Sequence, residues 1–219
     1  MLGRPEAQAH GHTSGVCMSN VEGFFVGTEM PNTGWWGDLW PDPASVLQRV
    51  GLKADANAVD LWCGDGWFTL PMSRVAAHVN AIDIDPALVE ATRQRLIKAG
   101  MSNTVFNASD ALNVSSLAAP SDFVFLANAF HGVPDRKRLA YTVRNTLKDG
   151  GIFAVVNWHK RPRDETTVLG EPRGPKTELR MSPQETRNAV EAGGLVLEDI
   201  LELPPYHYSA VFRRGLVPS

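Results

Sequence analysis

Cysteine is scarce in this sequence: Cys17 and Cys63 are the only two in 219 residues. Two cannot build a disulfide framework, so the reading is a reducing compartment, the cytosol. No 18 apolar residues run together, which leaves no candidate membrane span. The opening "MLGRPEAQAHGHTSGVCMSN" lacks an apolar core and does not read as a secretory signal. Neither sign of charge dominates. Twenty-one Lys and Arg stand against 24 Asp and Glu, a net charge of −3, with a pI near 6.1. There is thus no basic excess to argue for nucleic acid and no acidic tail. Internal repeats and low-complexity tracts are also missing. What remains suits one soluble domain, 43% hydrophobic and long enough for a sizeable core.

The first 20 residues, rich in Gly, Ser and His, read as loosely ordered. The aromatic "FFVGTEMPNTGWWGDLWPDP" that follows shows no clear period, and residues 1–42 together read as an arm or lid preceding the main domain, 43–219. Asp42 and Pro43 then open a helix ending near Gly51. From there strands and helices alternate. Strands are expected at 57–62, 78–83, 103–108, 122–128 and 151–158. A helix is expected at 67–77, a second from Asp85-Pro86 to Gly100, and a third in "RKRLAYTVRNTL". Ser182-Pro183-Gln184-Glu185 has the form of a capping box, and Gly193-Gly194 stops the helix it opens. Two alternating strands, "LVLEDILEL" and "YHYSAVFRR", close the chain. The fold class is therefore α/β: a Rossmann-like, seven-stranded, mostly parallel sheet with helices on both faces. "PPY" is too short for a crossover, so the last strand should run antiparallel.

In such a sheet ligands bind beyond the carboxyl ends of the strands, and "AVDLWCGDGWFTL" (58–70) lies at one. Gly64 and Gly66 let backbone approach a ligand closely, and Asp83, ending the next strand, can accept from both hydroxyls of a ribose. A dinucleotide site would need a third glycine under the pyrophosphate. Here the run is Gly64-Asp65-Gly66-Trp67-Phe68-Thr69, with Asp65 where phosphate would lie. A positively charged adenosine ligand suits Asp60, Asp65 and Asp83 better.

"VDLWCGDG", "IDIDP", "SDAL", "DFVFLANAFHGVPD" and "LKDGG" occur in that order. They resemble the motif series of class I S-adenosylmethionine (SAM)-dependent methyltransferases, specifically the small type 11 family, over residues 57–157. The later "MSPQETRNAVEAGGL" agrees. The resemblance implies SAM as methyl donor, S-adenosylhomocysteine as product, and a small-molecule acceptor without nucleic acid or membrane as partner. It places Asp60 and the backbone of Trp62, Cys63, Gly64 and Gly66, with Asp65, along the methionine part. Asp83 takes the ribose, Ile84 packs on the adenine, Asp110 and Ala111 meet the adenine edge, and Asn128 faces the methionine end. Asp110 also reads as a cap, and Cys63 as an inert buried thiol. No metal ligand set is expected.

The chain departs from that pattern at Trp62, where glycine is usual, and at Asp65. An indole at 62 either attracts the sulfonium by cation–π contact or fills a hole in the sheet. Trp35, Trp36 and Trp40 form either an aromatic wall over the acceptor or cement for the arm. His131 and His159 are the general-base candidates, while His207 reads as structural. The long connection 160–180 carries six Lys or Arg, and an arginine among them could fork onto an acceptor's carboxylate or phosphate. The substrate-facing candidates are Trp36, Trp40, Arg161, Arg173 and Tyr206. The sequence does not say whether oxygen, nitrogen or sulfur is methylated, nor the oligomeric state.

Overall fold

A computed structural model of the chain describes residues 33–215. The readings of the first 20 residues, of Cys17 and of most of the 1–42 arm lie outside them. The strands are β1 (Asn57–Leu61), β2 (His78–Asp83), β3 (Thr104–Ala108), β4 (Ser121–Ala127), β5 (Leu147–Trp158), β6 (Thr167–Val168), β7 (Glu171–Pro172), β8 (Val196–Leu203) and β9 (His207–Arg213). The helices are α1 (Thr33–Leu39), α2 (Pro43–Arg49), α3 (Thr69–Val75), α4 (Pro86–Lys98), α5 (Val114–Leu117), α6 (Arg136–Thr146) and α7 (Pro183–Glu191).

Seven strands form one sheet in the order β3-β2-β1-β4-β5-β9-β8. β1 through β5 are mutually parallel, and β9 runs antiparallel to both β5 and β8. Crossovers therefore leave β1 in one direction and β4 in the other, which opens a crevice between their carboxyl ends. β6 and β7 make a separate small hairpin inside the long connection after β5.

The apolar residues of the central strands divide between two faces, as period 2 requires. Phe123, Phe125, Ala154 and Val156 pack under α1, α2 and α3. Val124, Leu126, Phe153 and Val155 pack under α5, α6 and α7. Each such side chain removed from water contributes ~1.5–3 kcal/mol, so the sheet is anchored from both sides.

The caps expected from sequence are present. Asp42 Oδ1 accepts from the Ser45 amide at 3.0 Å, and Asp85 accepts from Ala87 at 2.8 Å. Ser182 and Glu185 exchange both capping-box hydrogen bonds. Three readings need correction. The helix expected at 67–77 spans only Thr69–Val75, because Gly66, Trp67 and Phe68 are spent on the turn that feeds it. β5 starts at Leu147 rather than 151, with a register break against β4 between Ser121 and Phe123. The segment without a period contains α1, held by burial of Trp35, Trp36 and Leu39 rather than by propensity, since two of its seven residues, Gly34 and Gly37, are glycine.

Candidate active site

Beyond Leu61 the chain turns at Trp62, whose φ is +54°. This left-handed backbone is the one glycine normally supplies. The Cys63 amide still reaches across to Ile82 O at 3.1 Å, and the Gly66 amide closes the turn onto Cys63 O at 3.0 Å. α4 holds the loop from below: Thr92 Oγ1 donates to Gly64 O at 2.7 Å. A Cβ on Gly66 would lie 3.0–3.3 Å from Thr92 atoms, at a φ of +84°. Glycine is therefore fixed at 66 by both conformation and space.

Two carboxylates sit beneath this loop. Asp60, 3% exposed, accepts from Thr69 Oγ1 at 2.6 Å. Asp83, 4% exposed, accepts from the Gly64 amide at 2.9 Å and the Asp85 amide at 3.0 Å, tying the β1 loop to the end of β2. Burial pushes the Asp60 carboxyl up to about 7, opposed by the Thr69 bond and reinforced by the charge of Asp83. Burial likewise raises Asp83. Among the described residues no Lys, Arg or His pairs with either.

Asp65 differs. Its Oδ2 takes Arg95 at 2.6 Å, so its charge is already answered by α4, whereas Asp60 and Asp83 have no such partner among the described residues. Burial, then the negative charges of Asp60 and Asp83, push the Cys63 thiol far up, so it stays protonated and inert. The Trp62 indole packs against the core under α5, α6 and α7.

Across the crevice, Asn128 follows β4 with a φ of +60°. Neither its Oδ1 nor its Nδ2, both buried, has a hydrogen-bond partner among the described residues. Ile84 is half-buried after β2. Asp110 Oδ1 caps a short 3-10 turn by accepting from Leu112 at 2.8 Å, and Ala111 behind it is buried.

His131 is 4% exposed in the turn after β4. Burial, Arg136 and Arg180 depress its imidazole to about 4, so it is neutral at pH 7. His159, just past β5, meets Glu202 Oε2 at 2.8 Å. Trp36 and Trp40 are buried in the α1–α3 core. Trp40 lies 4.4 Å, ring to ring, from His207. The Tyr206 hydroxyl donates to Thr167 O at 3.0 Å and accepts from its amide at 3.2 Å, pinning the β6–β7 hairpin. Arg161 is exposed and Arg173 half-buried. Sequence reasoning passed over Thr69, Thr92, Arg95 and the burial of Arg180. Only an acid nine positions before a threonine hinted at the first. Among the described residues no cluster of His, Cys, Asp and Glu could hold a metal ion, and no helix is long and apolar enough to cross a membrane.

Residues 58–151 match the family model described as "Methyltransferase domain". By that match, residues 58–151 form a methyltransferase domain. Among solved structures, a SAM-dependent methyltransferase from Aquifex aeolicus superposes with a TM-score of 0.70 at 22% identity, covering 83% of this chain and 93% of that one. Among curated relatives, the ubiquinone biosynthesis O-methyltransferase of Xylella fastidiosa (strain 9a5c) is 28% identical over 133 residues, 56% of this chain and 54% of the relative. The 23S rRNA (uracil(1939)-C(5))-methyltransferase RlmD of Klebsiella pneumoniae subsp. pneumoniae is 40% identical over 62 residues, 28% of this chain and 14% of the relative. The chain thus spans about half of one curated relative's length and a seventh of the other's.

For this family's cofactor the site is chemically suited. SAM carries a sulfonium and an ammonium, and two buried carboxylates without a cation stand at the loop. The orphaned amide of Asn128 offers one donor and one acceptor to a polar ligand.

Proposed function

We propose that this protein transfers a methyl group from SAM to a small-molecule acceptor, in the cytosol. The observation that carries the reading is the pair Asp60 and Asp83: two buried, unpaired acids at the switch point of the sheet. An unpaired buried carboxylate is costly, and a cationic ligand removes that cost. When bound, SAM supplies a methyl already activated by its sulfonium. The protein's part is to align and to exclude water.

Asp83 accepts from the ribose hydroxyls while keeping the Gly64 amide in place. Ile84 and Ala111 flank the adenine, and the free oxygen of Asp110 takes its amino group. Backbone of Trp62, Cys63, Gly64 and Gly66 follows the methionine part, with Asn128 opposite. His159, oriented by Glu202, is the stronger candidate to take an acceptor's proton, and His131, buried and held near 4, is the weaker base of the two.

The acidic balance of the chain and the ubiquinone-pathway relative favour a small acceptor over RNA. The RlmD likeness spans a seventh of that enzyme and carries less weight.

Calorimetry with SAM and S-adenosylhomocysteine tests the reading. Wild type should bind both in the micromolar range, and Asp83→Ala should weaken each at least tenfold with the thermal midpoint checked in parallel. A wild type that binds neither overturns it.

A further inference from the structure

Arg180 is 2% exposed, the only fully buried Lys or Arg among the described residues. Its Nε donates to Pro175 O at 3.1 Å, and its Nη2 to Thr166 Oγ1 at 2.8 Å and Arg173 O at 2.9 Å. Nη1, also buried, has no partner among the described residues. No described carboxylate forms an ion pair with it. Burying an uncompensated guanidinium is costly. A chain seeking only to brace a loop could use a neutral donor at far lower cost.

The surroundings are short of acceptors in the same way. The guanidinium carbon lies 5.1 Å from the Trp158 ring centroid, and the His207 ring is 4.2 Å from the same indole on β5. His207 is 1% exposed, and neither of its ring nitrogens has a partner among the described residues. Trp40 follows at 4.4 Å from His207, and its Nε1–H and that of Trp36 are buried without partners among the described residues. Unpartnered donors thus outnumber acceptors in the aromatic cluster around Trp158. This set lies where β5 ends and β9 begins, on the carboxyl edge that also carries Asn128 and His131. α1 and the β6–β7 hairpin cover it: the Leu169 amide donates to Asp38 Oδ2 at 3.4 Å.

We infer that Arg180, with His207 and the indoles of Trp36 and Trp40, forms an anion subsite that takes the carboxylate of an aromatic acceptor. One guanidinium charge matches one carboxylate charge. Nη1, an imidazole N–H and an indole N–H are hydrogen-bond donors that a carboxylate's lone pairs accept. A dianionic phosphate would keep one charge unanswered. The inference names the acceptor class for the methyl transfer proposed above and rests on that reading for what happens to the bound acid. The binding event itself does not need SAM.

The chain carries six tryptophans, so quenching of their fluorescence reports occupancy. Benzoate should quench saturably, with benzamide and phenyl phosphate at least tenfold weaker. Arg180→Met should abolish the preference for benzoate over benzamide, and Arg180→Lys should retain part of it. Equal affinity for benzoate and benzamide, no saturable quenching by benzoate, or full benzoate affinity in Arg180→Met would overturn the assignment. Preference for phenyl phosphate would also overturn it. Should Arg180→Met fail to fold, the wild-type thermal midpoint decides: benzoate should raise it and equimolar benzamide should not. S-adenosylhomocysteine calorimetry on the same samples is the separate arm. Its failure would sink the methyltransferase reading while leaving the benzoate result to stand or fall alone.

Discussion

Trp62 holds two opposed terms in one residue. Its left-handed backbone costs about 1–2 kcal/mol for any residue with a Cβ, and its half-buried indole offsets that by packing against the helix-side core. Removing the side chain while keeping a Cβ loses the packing and retains the strain. Trp62→Gly should therefore be more stable than Trp62→Ala by about 1 kcal/mol, the reverse of the order in a helix, as read by urea denaturation. Because the indole packs against the core under α5, α6 and α7, the ratio of SAM to S-adenosylhomocysteine affinity should be unchanged in either variant. A selective loss of SAM would mean that the indole reads the sulfonium after all. The departure from glycine was visible in the sequence, but its direction was not: a side chain at φ +54° can leave the loop toward either neighbour, and only the core under α5–α7 decides.

Helix ends were the most legible elements, because a cap is a local transaction among three or four residues. Asp42, Asp85 and the Ser182–Glu185 box all close the hydrogen bonds that their spacing announced. α1 was not legible, since a seven-residue helix with glycine at 34 and 37 forms only when Trp35, Trp36 and Leu39 find the sheet. The turn after α7 shows the same limit. Gly193 reads as a helix stop, yet a Cβ there would stand 2.5 Å from Ala140 Cβ and 2.6 Å from the Tyr141 backbone nitrogen. Its φ is unremarkable, so the constraint is contact with α6. Backbone cannot yield as a flexible side chain would, and Gly193→Ala should cost about 1–3 kcal/mol. The thermal midpoint should fall by some 2–12 °C, at about 2–4 °C per kcal/mol for a chain of this size. Gly150, whose Cβ would meet nothing within 4 Å, lacks that clash.

For the whole molecule, the buried titratable groups set the response to pH. His131 is held near 4, by burial first and then by Arg136 and Arg180. His207 is held well below its usual range, by burial first and then by His159 and Arg180. Below about 6.5 the unfolded chain takes up a proton at each imidazole that the folded one refuses. Each therefore removes up to ~1.4 kcal/mol of stability per pH unit as the pH falls. Asp60 works in the opposite sense. Its folded carboxyl, near 7, binds a proton that the unfolded one has released, so it loses stability as the pH rises from about 4 to 7. Urea midpoints between pH 5 and 7 should accordingly show a flatter acid limb for His207→Gln and a steeper one for Asp60→Asn. Parallel profiles for wild type and both variants would mean that these groups are not buried as described.

The sequence by itself determined the order of the main elements, the caps and the likeness to a methyltransferase domain, because each rests on residues close together in the chain. Apolar runs gave the central strands, period 2 the last two, the motif series the cofactor, and the three-residue link before β9 the antiparallel end. Only the tertiary structure decided which charges are answered. Asp65 meets Arg95 thirty positions away, whereas Asp60 and Asp83 meet no cation among the described residues. Arg180 is indistinguishable in sequence from five other basic residues between 160 and 180, yet it alone is fully buried. Burial and pairing are sums over neighbours brought from distant parts of the chain, and no local pattern carries that sum.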